Sequence, residues 1–221
     1  VTLSWNIMPN ALSYNIRYRE TGATTWVNSN GITANSLALS GLTPCTQYEY
    51  QVQSVCSSEQ SSFSSVRTFG TPPAGLLNYC TAKGNNVAYE WIAGVALNTI
   101  ANNSGANGGY ADFRCIGTVL QQGNSYNITL TPGFAGQTYT EYWRIWIDLN
   151  QNGTFDDPSE RLYSSAQATA NVVNASLTVP TTALTGPTTM RVVMKWVASS
   201  DNTLPNACGT FAYGEVEDYA V

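Results

Sequence analysis

No histidine occurs anywhere in the 221 residues. That absence removes the Ser-His-Asp and Cys-His nucleophile systems, His-ligated zinc and the usual general base at neutral pH. Charge is scarce too, at 10% of the chain, and the net charge of −5 argues against binding along a phosphate backbone, so nucleic acid is not an expected partner. No stretch approaches the roughly 18 apolar residues of a membrane span, and no membrane partner is expected. No signal peptide is visible, and the chain begins directly in a strand-like segment. The five cysteines include no C-x-x-C pair, so a zinc knuckle or a thioredoxin-type centre is not expected. Carboxylate-only catalysis is the enzymatic chemistry left open.

In place of charge the chain carries Ser, Thr, Asn, Gln and Gly, with many Val, Ile, Thr, Tyr and Trp and no long amphipathic run. The expected fold class is all-β. Widely spaced cysteines in such a protein point to disulfides, an oxidising setting and a secreted, extracellular location. The segment "FGTPPAG" (69–75) is the clearest break, because Pro72 and Pro73 cannot donate to a sheet and favour extended chain. Charge shifts there as well. Residues 1–71 hold three basic and three acidic side chains, and residues 72–221 hold six and eleven, so the whole net charge lies in the second part. The expected domains are 1–71 and 78–221, joined by a linker over 72–77.

The first part alternates at period two in "VTLSW", "YNIRYRE", "SLALSGL", "YEYQVQSV" and "SVRTF", the pattern of a β-sandwich. Trp5, Tyr14 and Tyr18, followed by "LSGLTPCTQYEYQVQSV", resemble a fibronectin type III domain, with Leu42 and Tyr48 where that family places its tyrosine-corner pair. The family's strand before "VTLSW" is missing, which implies a piece trimmed from a larger protein. Cys45 and Cys56 are expected to pair around the corner strand, the alternative being two buried free thiols.

From Tyr79 onward the segments "YCTAKG", "GGYADF", "WIDLNQNGTFDD" and the closing "CGTFAYGEVEDYAV" occur in order. They resemble the GEVED domain of secreted Bacteroidota proteins. The resemblance implies a second, larger, jelly-roll-like β-sandwich. It also implies a non-catalytic accessory module beside the catalytic domain of a large exported enzyme, such as a metalloprotease or a polysaccharide-degrading enzyme. Cys80 and Cys208, next to the first and last strands of this domain, are expected to pair, leaving Cys115 free. A monomer is expected.

The stretch "DLNQNGTFDDPSE" (148–160) crowds acids and amides behind the apolar run "YWRIWI". Asp148, Asn150, Asn152 and Gly153 reproduce the first half of a D-x-N-x-N-G calcium loop. Thr154 would add its carbonyl, with Asp156 (or Asp157) and Glu160 completing an all-oxygen set that suits calcium. A metal-free polar hairpin is the alternative, and a glycosidase-like carboxylate pair is the remote one. In "GEVEDY", Glu215 and Glu217 share one strand face and Asp218 takes the other. A second calcium contact and a salt bridge to Arg144, Arg161 or Arg191 are equally weighted there.

Alternation in "EYWRIWID" puts Tyr142, Arg144 and Trp146 on one face, and Trp143, Ile145 and Ile147 on the core face. Arg191 and Lys195 share a face in "MRVVMKW". A surface carrying Tyr142, Arg144, Trp146, Arg191 and Lys195, with Tyr110 ending a Gly/Asn-rich loop, would suit an extracellular polysaccharide, sulfated or uronic. A solvated sheet face with scattered cations is the plain alternative. The expected function is therefore non-catalytic attachment to an extracellular polysaccharide, stabilised by calcium. The alternatives are docking to a collagen-like substrate protein and a structural spacer.

Overall fold

The computed structural model describes residues 1–197 and 202–221. The chain divides into two compact units, 1–74 and 75–221, with the cut inside the Pro-containing stretch. All regular elements among the described residues are strands, and no helix there is long and apolar enough to cross a membrane.

The first unit holds β1 (Thr2–Ser4), β2 (Ser13–Glu20), β3 (Val27–Ile32), β4 (Ser36–Ala38), β5 (Gln47–Val55) and β6 (Arg67–Gly70). β1 pairs with β4, and a four-stranded sheet runs β3-β2-β5-β6. Period-two alternation sends Leu3, Tyr14, Ile16 and Leu39 into a shared core against Trp5, Leu42, Val52 and Phe69. Tyr48 turns its hydroxyl to the backbone, accepting from Thr43 N at 3.0 Å, and Leu42 packs on the same core, so the corner expected from the sequence forms.

The expected Cys45–Cys56 bridge does not form. Cys56 is a free thiol, whereas Cys45 and Cys115 are each disulfide-bonded. The reason is strand geometry. The two cysteines flank opposite ends of β5, and its nine residues span roughly 30 Å at ~3.3 Å per residue, far beyond the ~7 Å Cα limit of a disulfide.

The second unit holds β7 (Ala82–Asn86), β8 (Glu90–Leu97), β9 (Ile100–Asn102), β10 (Tyr110–Gly117), β11 (Ser125–Phe134), β12 (Glu141–Ile147), β13 (Arg161–Ser164), β14 (Val173–Thr178), β15 (Thr189–Trp196) and β16 (Gly209–Ala220). One sheet runs β10-β16-β15-β12-β13 with β7 also on β16, and the other runs β14-β11-β8-β9. Pro132, which has no N–H, sits at a register shift of β11 against β8. Between the sheets Ile92, Leu97, Ile128, Leu130, Trp143, Ile145, Met190, Val192 and Tyr219 form the main core. The far face of the larger sheet has a second, smaller core of Ala82, Trp146, Phe155, Val193, Ala207 and Val216. β12 and β15 are therefore buried on both faces, and Cys80–Cys208 closes the margin of the covering layer with a Cα separation of 5.6 Å.

Candidate functional site

The cationic–aromatic face expected to meet a polysaccharide has the predicted parity but is not a surface. Trp146 is 1% exposed, Arg191 2%, Lys195 6% and Arg144 9%. Segments around Cys80 and residues 203–208 lie over it, and the cations hold those segments down. Arg191 pairs in a two-pronged fashion with Asp218 (2.8 and 2.7 Å) and donates to the carbonyls of Cys80 and Ala207. Arg144 donates to the Pro205 carbonyl and to Ser164, and Lys195 donates to the Thr203 carbonyl and hydroxyl. Tyr110 spends its hydroxyl on Asp218 at 3.0 Å, and Tyr142 is half-buried in β12. Alternation tells which residues share a face. It does not tell whether a loop from elsewhere in the chain will cover that face, and here one does.

The acids of "GEVED" are likewise engaged within the protein. Asp218 takes Arg191, one of the three arginines weighed equally with a second calcium contact. Glu215 and Glu217 turn between the sheets, where Glu215 accepts from Ile92 N (3.0 Å) and Asn107 N (2.6 Å). Glu217 accepts from Ser104 and Tyr219, each at 2.6 Å. Burial raises the Glu217 carboxyl to about 7, with the Glu215 charge adding to the rise and the two hydroxyl donors opposing it.

In the 148–160 loop every acid is met by donors of the loop or its neighbours. Asp148 accepts from Asn152 N, Gly153 N and Tyr79 OH, and Glu160 accepts from the N–H groups of Leu149, Asn150 and Asp156. Asp156 accepts from Thr154 Oγ1 and from the amide nitrogens of Asn152 and Asn150, which hold its carboxyl below the ordinary range. Phe155 anchors the loop, stacking on Tyr79 at 4.6 Å. The donor set is all oxygen, as calcium requires. Among the described residues, however, no three acidic, His or Cys side chains converge as a cage.

A different place stands out. At one end of the second unit four rings close a circuit. Tyr89 meets Tyr139 (6.3 Å) and Tyr213 (6.1 Å), and Trp196 meets Tyr139 (6.1 Å) and Tyr213 (5.3 Å). Neighbouring planes are steeply inclined, by 55–84°, and Tyr89 is 50% exposed. Register places Glu141 directly across from Trp196, on the same side of the sheet, and Glu90 begins β8 beside Tyr89. Glu141 is wholly buried with neither carboxylate oxygen hydrogen-bonded, and Glu90 is 2% exposed with Oε1 unpartnered. Burial raises Glu141 to about 8, with the Glu90 charge adding, and burial raises Glu90 to about 7. The sequence offered one signal for these residues. Each glutamate heads an apolar, aromatic strand, in "YEWIAG" and "TEYWRI", where a charge is out of place.

At the opposite end of the same unit a cleft of about 1060 Å³ is lined by Leu120, Ile147, Leu149, Val179, Leu184 and Val221 among others, without an aromatic or charged side chain.

These features sit on a recognisable architecture. Residues 1–69 match the model of the fibronectin type III domain, and residues 142–221 match that of the GEVED domain, so the chain carries these two module types in tandem. No curated protein matches it. Among solved structures, the FN1–FN3 domains of chicken CNTN1 align at 11% identity over all of this chain and 61% of that one, with a TM-score of 0.29. The chicken interferon gamma receptor alpha chain aligns at 12% identity over all of this chain and 90% of that one, TM-score 0.32. A two-domain fibronectin type III segment of chicken tenascin aligns at 12% over the same shares, TM-score 0.29. Both matches are to families of non-catalytic modules.

Proposed function

We propose that this chain attaches a secreted parent enzyme to an extracellular polysaccharide through the ring circuit Tyr89–Tyr139–Trp196–Tyr213. The observation that carries this reading is the circuit itself, since its exposed edge offers aromatic faces to the C–H groups of a sugar ring. The cations that would have favoured a sulfated or uronic polymer are buried, so the ligand class moves to neutral polysaccharides. The catalytic domain of the same parent chain is the natural partner, and the module acts as a monomer. Affinity electrophoresis across neutral, uronic and sulfated polysaccharides tests the reading. Retardation by a neutral polymer that disappears in Trp196→Ala supports it. Retention on insoluble collagen with no polysaccharide binding replaces it with protein docking, and retention by neither leaves a spacer.

Calcium at residues 148–160 belongs to the same proposal. Asn150 and Asn152 now turn amide nitrogens to Asp156, and a half-turn of each amide would present oxygens instead. Chelator is then expected to lower the melting temperature of the wild type, and to lower that of Asp148→Asn by clearly less. An equal chelator effect on wild type and Asp148→Asn would leave the loop a hydrogen-bonded turn.

A further inference from the structure

Among the described residues, the buried carboxylates of the second unit follow one rule with one exception. Asp218 has an arginine, Glu215 two backbone N–H groups, Glu217 two hydroxyls, and Asp148 and Glu160 three donors each. Glu90 and Glu141 are the exception, with three carboxylate oxygens buried and unpartnered. A buried polar group without a partner is costly, and a buried unpaired charge more so. Two such groups side by side call for something positive between them.

We propose that Glu90 and Glu141 together hold one calcium-type divalent cation just inside the mouth of the sandwich, beneath the four rings. Three observations carry it. Both side chains face the space between the sheets at the same end, set by the Glu141–Trp196 and Glu90–Phe134 registers. Their oxygens are sealed from solvent, which admits a bare ion and not the ammonium group of a larger molecule. Two carboxylates supply charge −2 and oxygen donors only, which selects a hard divalent ion over a transition metal. Backbone carbonyls and water complete the shell of such an ion. Burial of both carboxyls is the cause of their raised pKa values, and a resident cation would reverse it. The site is separate from the 148–160 loop and does not depend on whether the rings bind a polymer. A filled site fixes the starts of β8 and β12, and with them two walls of the ring circuit.

Calcium alone is the probe, used on the full chain without polymer. Isothermal titration of wild type, of Glu90→Gln/Glu141→Gln, and of the loop variant Asp148→Asn/Asp156→Asn counts the ions. The glutamine pair is expected to bind one ion fewer per chain than wild type, while the loop variant keeps the ion held at Glu90 and Glu141. In chelator the glutamine pair is expected to melt above wild type, because the buried negative charge is gone, and calcium is expected to close or reverse that gap. An unchanged ion count, or an equal calcium-dependent gain in wild type and the glutamine pair, overturns the proposal. Terbium in place of calcium gives a check that does not need the glutamine pair to fold. Excitation of the neighbouring tryptophan and tyrosine side chains should sensitise bound terbium, and the loop variant should keep that emission. Loss of the emission in the loop variant also overturns it.

Discussion

At the scale of single residues, Arg191 shows what strand parity reveals and what it hides. Its side of β15 was legible from "MRVVMKW", and so was its kinship with Lys195. Its partner was only one of several open choices in the sequence, and the strand register that sets Asp218 opposite it settles the choice. The cover over both was not in view, since the residues that supply it, around Cys80 and Ala207, are more than a hundred positions apart in the chain. A bidentate ion pair at 2% and 1% side-chain exposure costs much to break on one side. Arg191→Leu is expected to lose about 3–5 kcal/mol in urea denaturation, because Asp218 is left charged and dry, while Arg191→Leu/Asp218→Leu should lose clearly less.

Glu217 makes a second residue-scale case, with its sign set by burial. Its carboxyl stands at about 7 in the fold against an ordinary 4.5. The folded state therefore binds the proton more tightly, and the stability this confers is full below the ordinary carboxylate range. That stability is lost as pH rises from about 4.5 through 7, on the order of 1 kcal/mol per pH unit. Glu217→Gln should show a shallower fall over that window in melts taken across pH. Cys56 makes a third case. With Cys45, Cys80, Cys115 and Cys208 all bonded, native protein without reductant should release one thiol equivalent to a thiol reagent, and Cys56→Ser should release none. Three equivalents in the native protein would contradict the pairing.

At the scale of elements, β16 organises the second unit. Its first half pairs with β7, its second half lies between β10 and β15, and the motif text "YGEVEDY" spans the change of partner. The glycine in that text has a steric reason. A Cβ on Gly214 would stand 2.2 Å from the Met194 carbonyl oxygen, and a Cβ on Gly84 of β7 would stand 1.8 Å from the Gly214 carbonyl oxygen. The backbones pass too closely for any side chain. Gly84→Ala must push β7 off β16, since the atom it meets is backbone and cannot swing away. The variant is expected to fail to fold its second unit or to lose several kcal/mol, more than the usual ceiling for point changes. Circular dichroism and a melt of the purified variant decide between those outcomes. Strand existence was legible at this scale because alternation survives in "YNITLTP" and "TMRVVMKW". The parallel pairings of β7 and β10 with β16 were not, because nothing local in a sequence names a partner a hundred residues away.

At the scale of the whole molecule, the division into two sandwiches could be read from a proline pair and a jump in acidity, both local features. The disulfide framework could be read only where covalent closure coincides with the ends of a unit. Cys80 and Cys208 sit at the two margins of one layer, so their pairing follows from how that layer closes. Cys45 and Cys56 looked adjacent because a corner was imagined between them, whereas a nine-residue strand separates them. The framework makes a final prediction. Cys80–Cys208 closes a loop with a sequence separation of 128, which in the chain-entropy model is worth up to about 5 kcal/mol. The same bond also seals the layer that Arg191 anchors. Cys80→Ser/Cys208→Ser is therefore expected to lower the unfolding free energy of the second unit, read from urea denaturation, by an amount approaching that figure, and to expose the Arg191–Asp218 pair to solvent. Joined with Arg191→Leu/Asp218→Leu, the two pairs of changes should fall short of additivity, because both loosen the same cover. Strict additivity would mean that the disulfide and the ion pair stabilise the fold independently, and that the covering layer is held by its apolar contacts alone.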